Sequence, residues 1–545
     1  MEPQNAQNPD FSRRKTSVER ARSFGLKLAL LAVPACAVLF AQSLFSGDEP
    51  KSRFAVLDVS DYQEIVEGFN EWDEEAVVNL VPNAASWQWM VEQVPFFDCP
   101  DEDLREIYYF RWWALRKHLK QVGDYYAYTE FIELDTKAWF IPPERTIASA
   151  LGHHFMETRW LVNQDKDDSY LDYWMVGNDG KAQGHFHRYS SWLHDAMWQR
   201  YLVTGDLDFI AQRFERFEAD YRLWQEEKQL DSGLYWQADV WDAMEESISG
   251  GRHEKNIRPT INSYMFGNAV ALSNMAKLLG KEEAAAVYHE EAEAQRARVL
   301  DTLWSEDLNF FESVKESGGF AKVREAIGFI PWYFKLPTPG KGYEVAWEQV
   351  LDPEGFSAPF GLTTAEQRHP EFRSHGTGYC EWDGAIWPYA TSQTLVAMGN
   401  VIRDYEQEVI GKQDFFDAFL DYTRAQRKNG RPYIGEYQDE QTGEWLKGDN
   451  PRSKFYHHST YADLLIANLI GIRPEDSNRV VVDPLLPNGV WDWFCLDGVP
   501  YRGRMLTVLW DKSGKRFGKG AGLSLWADGE LVSRRDSLGK LEGAF

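Results

Sequence analysis

The stretch Glu381-Trp382-Asp383-Gly384-Ala385-Ile386-Trp387-Pro388 decides how the rest of this chain is read. It sets two carboxylates and two indoles around a glycine, then feeds a helix from Tyr389, with Pro388 suited to a first helical turn. A polar, aromatic loop opening onto a helix presents its side chains rather than packing them. Two further segments share this character: Trp241-Asp242-Ala243-Met244-Glu245-Glu246-Ser247 and Gly435-Glu436-Tyr437-Gln438-Asp439-Glu440-Gln441-Thr442-Gly443. Carboxylates beside flat aromatic faces, with no phosphate loop or metal motif, suit sugar cleavage. One acid protonates the leaving oxygen, one carboxylate activates water, and the rings hold the apolar faces of the sugar.

Outward from these loops the pattern is helical. Apolar residues recur at three- and four-residue spacing over 103–119, 144–161, 191–204, 262–279, 282–300, 391–406, 414–427 and 458–470. Asp206 is placed to cap a further helix with Phe209, Phe214 and Phe217 on one face. Helices joined by loops of unequal length predict hairpins stacked in a ring, with the chemistry at one end. After Pro474 the texture turns to short β-like runs at 480–482, 491–496, 504–510 and 523–527, which predict a small antiparallel β domain. The expected domains are 1–50, 51–474 and 475–545.

The first fifty residues differ from the rest. Arg13, Arg14, Lys15, Arg20, Arg22 and Lys27 precede an apolar run from Leu28 to Phe45, the layout of an export signal or an N-terminal membrane anchor. The expected location is therefore periplasmic or extracellular. Of the 545 residues, 85 are acidic and 58 basic, a net charge of −27. That balance excludes a nucleic-acid surface and leaves carbohydrate as the expected partner. Beyond Cys36 there are three cysteines, Cys99, Cys380 and Cys495, without zinc spacing, so neither a disulfide framework nor a metal is expected. No cofactor is implied.

Other aromatic and polar clusters are candidate substrate contacts: Tyr108, Arg111 and Trp112 within a helix, Trp174, His187, Trp382, Asp383, Trp387 and Tyr437. Arg111 amid aromatics needs a partner wherever it is buried. His185 and His187 alternate like strand-spaced ligands but lack a third. As an ordered set, the three acidic segments resemble those of the inverting (α/α)6-barrel glycosidases: glycoside hydrolase families 37 and 63 and the mannosylglycerate and glucosylglycerate hydrolases. The resemblance spans most of the chain. It implies a mainly α fold, an (α/α)6 toroid of six helical hairpins, with the small antiparallel β domain at the C-terminus.

It also implies roles. Ala243-Met244-Glu245-Glu246-Ser247 is similar to the family's general-acid segment, with Glu where the family has Asp, while Trp241-Asp242 fits another form of it; the acid is thus Glu245 or Asp242. Glu436 through Thr442-Gly443 is similar to the general-base segment, with Tyr437 shifted and a proline missing. Trp382 to Trp387 looks like the family's sugar platform. The activity implied is single-displacement hydrolysis of an α-linked glucoside or mannoside, with about 6.5–9.5 Å between the two carboxyls. Three alternatives stand beside it. A lyase or epimerase would use His185, His187 or His457 as base; a phosphorylase would need cations beside Glu436, where the loop offers Arg431 and Lys447; a non-catalytic sugar binder would keep the aromatics.

Overall fold

The computed structural model describes residues 53–132, 146–373, 376 and 380–545. The basic and apolar leader lies outside these residues, as does the start of the helix expected from 144. Among the described residues no helix is long and apolar enough to cross a membrane. Residues 51–545 form one compact unit.

That unit is mainly α, a six-hairpin toroid carrying a small antiparallel sheet. Helices of the inner ring are buried nearly all round: every residue of Leu151–Thr158 is buried, and Pro259–Leu278 and Pro388–Asp404 are buried over most of their length. Both of the latter begin with proline in the first turn, where a missing N–H costs nothing. Outer helices bury a single stripe instead. Along Leu207–Lys228 this stripe includes Phe209, Phe214, Phe217, Tyr221 and Trp224, and the Asp206 carboxylate caps the helix by accepting the Phe209 N–H at 2.9 Å.

An inner ring buried on all sides must satisfy its polar groups internally. Arg159, at the end of Leu151–Thr158, meets Asp463 at 2.7 Å, and the same carboxylate accepts Trp160 Nε1–H at 2.8 Å. Glu157 accepts the backbone N–H groups of Tyr461, Ala462 and Asp463. This capping explains a departure from the sequence pattern. The helix expected over 458–470 is largely the short π-helical stretch Leu464–Leu469, because the preceding amides are spent on Glu157.

Five buried histidines sit between these elements: His118, His153, His154, His457 and His458. His154 Nε2 is 2.9 Å from the His457 carbonyl and Nδ1 is 2.9 Å from the Tyr170 hydroxyl. The His154 and His457 rings lie parallel with centroids 4.6 Å apart. Burial pulls the His118 imidazole down to about 3 and that of His154 to about 4, so both rings stay neutral.

The principal C-terminal sheet comprises Trp493–Tyr501, Arg504–Asp511, Gly522–Ala527 and Glu530–Arg535, all antiparallel. Its outer edge is completed from the other end of the chain, by Phe96–Asp98 pairing antiparallel with Trp493–Tyr501. Buried Asp497 holds this junction, accepting the N–H groups of Ala55 (3.2 Å), Val56 (2.7 Å) and Leu57 (2.8 Å) and the Thr507 hydroxyl (2.6 Å). A second small sheet joins Ile472–Pro474, Arg479–Val482 and Leu541–Ala544. Cys99, Cys380 and Cys495 are free thiols.

The neutral histidines make a pH test. The unfolded chain binds a proton at His154 near pH 6.5, whereas the folded ring resists it to about 4. Stability from this ring is complete above pH 6.5 and is lost as pH falls toward 4. In urea unfolding, the stability gap between the protein and its His154→Gln variant is expected to narrow below pH 6.5 by up to about 1.4 kcal/mol per pH unit.

Candidate active site

At the end of the ring where the inner helices begin lies a cleft of about 330 Å³, onto which both Glu245 and Glu436 open. Glu245 sits in the loop between strand Trp236–Gln237 and helix Pro259–Leu278. Its flanks are unusual: Ala243 (φ +61°) and Glu246 (φ +69°) are both non-glycine residues in the left-handed region. Such backbone costs of order 1–3 kcal/mol per residue and persists only where the surroundings hold it. Met244, fully buried, anchors the turn from inside. The Glu245 carbonyl accepts the Trp382 N–H at 3.4 Å, tying the first acidic segment to the second.

The second and third segments are joined more firmly. Ile386 and Gln438 exchange two backbone hydrogen bonds, each 2.9 Å, and Gln438 Nε2–H reaches the Ala425 carbonyl at 2.7 Å. Two glycines beside this pairing sit against other neighbours. A Cβ at Gly384 would fall 2.2 Å from the Arg373 carbonyl oxygen, and one at Gly435 would fall 2.6 Å from the Trp445 ring. The result places Trp387 and Glu436 in the same cleft. Trp382, Trp387 and Tyr437 stack in one column, with centroids 4.4 and 4.7 Å apart, and Trp387 is the member that lines the cleft.

The two carboxyls meet different surroundings. Burial pushes the Glu245 carboxyl up to about 7, the nearby charge of Glu436 adds to the shift, and Lys447 opposes it. Glu436 faces cations: Arg452 Nη2 at 3.1 Å and Lys447 Nζ at 3.3 Å, with the Ser453 hydroxyl at 3.4 Å. One carboxyl favoured in its neutral form and another compensated by positive charge, within one cleft, are the components of general acid–base chemistry.

The model of the mannosylglycerate hydrolase MGH1-like glycoside hydrolase domain matches residues 143–459, more than half of the chain. The chain belongs to this family. A glycosyl hydrolase family 65 C-terminal domain matches residues 472–534, most of the terminal β region. A solved structure named "Sialidase" is 46% identical with a TM-score of 0.88, covering 91% of this chain but 46% of that one. The chain thus spans less than half the length of that relative. The GH78 family rhamnosidase of Bacillus sp. GL1 shares the fold at 13% identity and a TM-score of 0.57, over 82% of this chain and 42% of that one. A GH63 mannosylglycerate hydrolase from Thermus thermophilus is 14% identical, over 66% of this chain and 99% of that one, with a TM-score of 0.47.

For this member of the family, the structure separates residues that the sequence grouped together. Asp242 does not line the cleft: it is fully buried in an ion pair with Arg258 Nε at 2.7 Å and accepts the Ser190 hydroxyl at 2.5 Å. Tyr108, Arg111 and Trp112 lie in the core of helix Glu102–His118. Arg111 finds its partners there, donating to the Tyr422 hydroxyl (3.0 Å), the Gln426 amide oxygen (3.1 Å) and the Ser459 carbonyl (2.6 Å). Trp174 stacks on Phe186, while His187 stacks on Trp224 and bonds Asp220 at 2.7 Å. Asp383 pairs with Arg373 at 2.7 Å, away from the cleft lining. Arg431 lies over the Trp72 ring, not beside Glu436; the second cation there is Arg452.

Sequence reasoning missed Glu130, Tyr189, Tyr389, Arg452, Tyr456 and His458, all of which line the cleft. The signal for Glu130 was present: Tyr125-Tyr126-Ala127-Tyr128-Thr129-Glu130-Phe131 is again a carboxylate among aromatics. Tyr456 and His458 come from a stretch whose helical pattern pointed elsewhere.

These placements set opposite expectations for two neighbouring acids. Asp242→Ala leaves Arg258 buried without its partner and is expected to cost about 3–5 kcal/mol of stability. Glu245→Gln removes a desolvated carboxyl and is expected to leave the thermal midpoint unchanged or higher. Paired urea and thermal melts of the two variants check both.

Proposed function

We propose that this chain is an inverting glycoside hydrolase acting on a small α-linked glucoside or mannoside, with Glu245 as general acid and Glu436 as general base. The observation that carries the reading is that these two carboxyls, and not Asp242, open onto one cleft from opposite electrostatic settings. Glu245 gives its proton to the glycosidic oxygen as the bond to the anomeric carbon breaks. Water attacks that carbon from the opposite face, and its proton passes to Glu436. Trp387, Tyr389 and Trp241 supply the aromatic walls. The mannosylglycerate hydrolase name of the matching family supports a compact substrate of this kind. The basic and apolar leader supports export.

A second reading, phosphorolysis, draws on Lys447 and Arg452. Both cations face the Glu436 carboxylate, however, so a phosphate dianion entering there would meet negative charge. Water is the acceptor this arrangement favours.

The test uses α-glucosides, α-mannosides and glucosyl- and mannosyl-glycerate, followed by proton NMR with and without phosphate. The expected result is release of the β-anomer at a phosphate-independent rate. Glu436→Gln and Glu245→Gln are each expected to lower kcat by about two to four orders of magnitude. The Glu245→Gln loss should shrink on a 4-nitrophenyl glycoside, whose leaving group needs no protonation. Release of the α-anomer, or full activity in Glu436→Gln, would overturn the assignment. Because Glu245 acts in its protonated form and titrates at about 7, kcat/KM should fall as pH rises beyond 7.

A further inference from the structure

A third carboxylate opens onto the same cleft, and the acid–base mechanism has no use for it. Glu130 follows the hairpin strand Tyr125–Tyr128 and is 3% exposed. Its backbone is fixed by the His457 N–H, which donates to the Glu130 carbonyl at 2.9 Å. Its carboxylate is fixed by two neutral hydroxyls: Ser149 Oγ–H donates to Oε1 at 2.8 Å and Tyr456 O–H donates to Oε2 at 2.9 Å. Both donors are held in turn. The Ser149 carbonyl accepts the Tyr389 hydroxyl at 3.1 Å, and the Tyr456 ring packs edge-on against His458 at 4.3 Å. Ser149, Tyr389, Tyr456 and His458 themselves line the cleft.

The contrast with Glu436 is informative. Glu436 meets two cations; the Glu130 carboxylate bonds two hydroxyls, and no cation lies within ion-pair distance of it among the described residues. A carboxylate oxygen has two acceptor directions, so one hydroxyl on each oxygen leaves one acceptor on each. Buried acceptors of that kind are expensive unless something donates to them. A pair of adjacent hydroxyls on a sugar ring supplies two donors at the spacing of a carboxylate's two oxygens. Nearby, Phe131, Tyr189, Tyr389 and Tyr456 give the apolar surface that the ring's C–H faces require.

From this geometry we infer that Glu130 is the specificity-determining residue of the cleft, accepting hydrogen bonds from two adjacent hydroxyls of an uncharged sugar ring and disfavouring a ring that bears a carboxylate. The inference deepens the hydrolase reading and rests on it for the identity of the site, but its test does not depend on which carboxyls move protons.

The test is a binding cycle in the Glu436→Gln background, where turnover plays no part. D-Glucose, D-mannose, their monodeoxy analogues and D-glucuronic acid are titrated calorimetrically against proteins carrying Glu130 or Glu130→Gln. With Glu130 in place, one of the two neutral sugars is expected to bind, and removing either of two adjacent hydroxyls should weaken it about 10- to 100-fold. Glu130→Gln should weaken the parent sugar by a similar factor and weaken those two deoxy analogues by distinctly less, since one of the two hydroxyls that Glu130 accepts is already gone from each. A residue that only braces Ser149 and Tyr456 would instead weaken all analogues alike, and that additive result overturns the inference. So does glucuronic acid binding as tightly as the neutral sugar, or no binding of either neutral sugar. Should Glu130→Gln fail to fold, the deoxy series on the Glu130 protein still decides: loss confined to two adjacent positions supports the inference, and loss at none or at scattered positions refutes it. Failure of the acid–base assignment would show separately, as retained turnover in Glu436→Gln.

Discussion

Two backbone hydrogen bonds between Ile386 and Gln438 hold the candidate site together. They join loops more than fifty residues apart, from different hairpins of the ring. Three residues of the cleft hang from that seam: Trp387 one residue beyond Ile386, Glu436 two residues before Gln438, and Glu245 through the Trp382 N–H. On either side of the seam the packing is tight as well: a side chain at Gly384 would meet the Arg373 backbone and one at Gly435 the Trp445 ring. Positioning by main-chain pairing leaves the side chains free to be chosen for chemistry.

The cleft then differentiates three like groups by what stands next to them. Burial raises the carboxyls of both Glu245 and Glu130 to about 7, ammonium and guanidinium groups offset the charge of Glu436, and two hydroxyl donors orient Glu130. Asp242 illustrates the fourth outcome. Three residues from Glu245, it is bound so completely to Arg258 and Ser190 that it serves the loop's architecture instead.

Much of this was legible in the sequence, and the boundary of legibility has physical causes. Helical periodicity, the first-turn prolines and the Asp206 cap are local signals, and the corresponding helices agree to within a few residues at most ends. The family matches and the toroid follow the ordered acidic segments. Side-chain direction was not legible. Arg111 among aromatics reads the same whether its partner is a sugar or the Ser459 carbonyl 348 positions away. Likewise, nothing near Glu436 in sequence distinguishes Arg431, which turns back over Trp72, from Arg452, which turns in. The loop of left-handed residues around Glu245 was equally hidden, because Ala243 and Glu246 adopt conformations their residue types do not favour.

The strand Phe96–Asp98 carries a consequence for the order in which this molecule is made. Its partner, Trp493–Tyr501, leaves the ribosome roughly 400 residues later, on the order of 20–80 s at ordinary rates of synthesis. Until then the amides of Ala55, Val56 and Leu57 lack Asp497, and one side of the ring lacks its clasp. Helical hairpins of short contact range can assemble as they emerge. The Phe96–Asp98 clasp therefore closes on hairpins already made and cannot nucleate them.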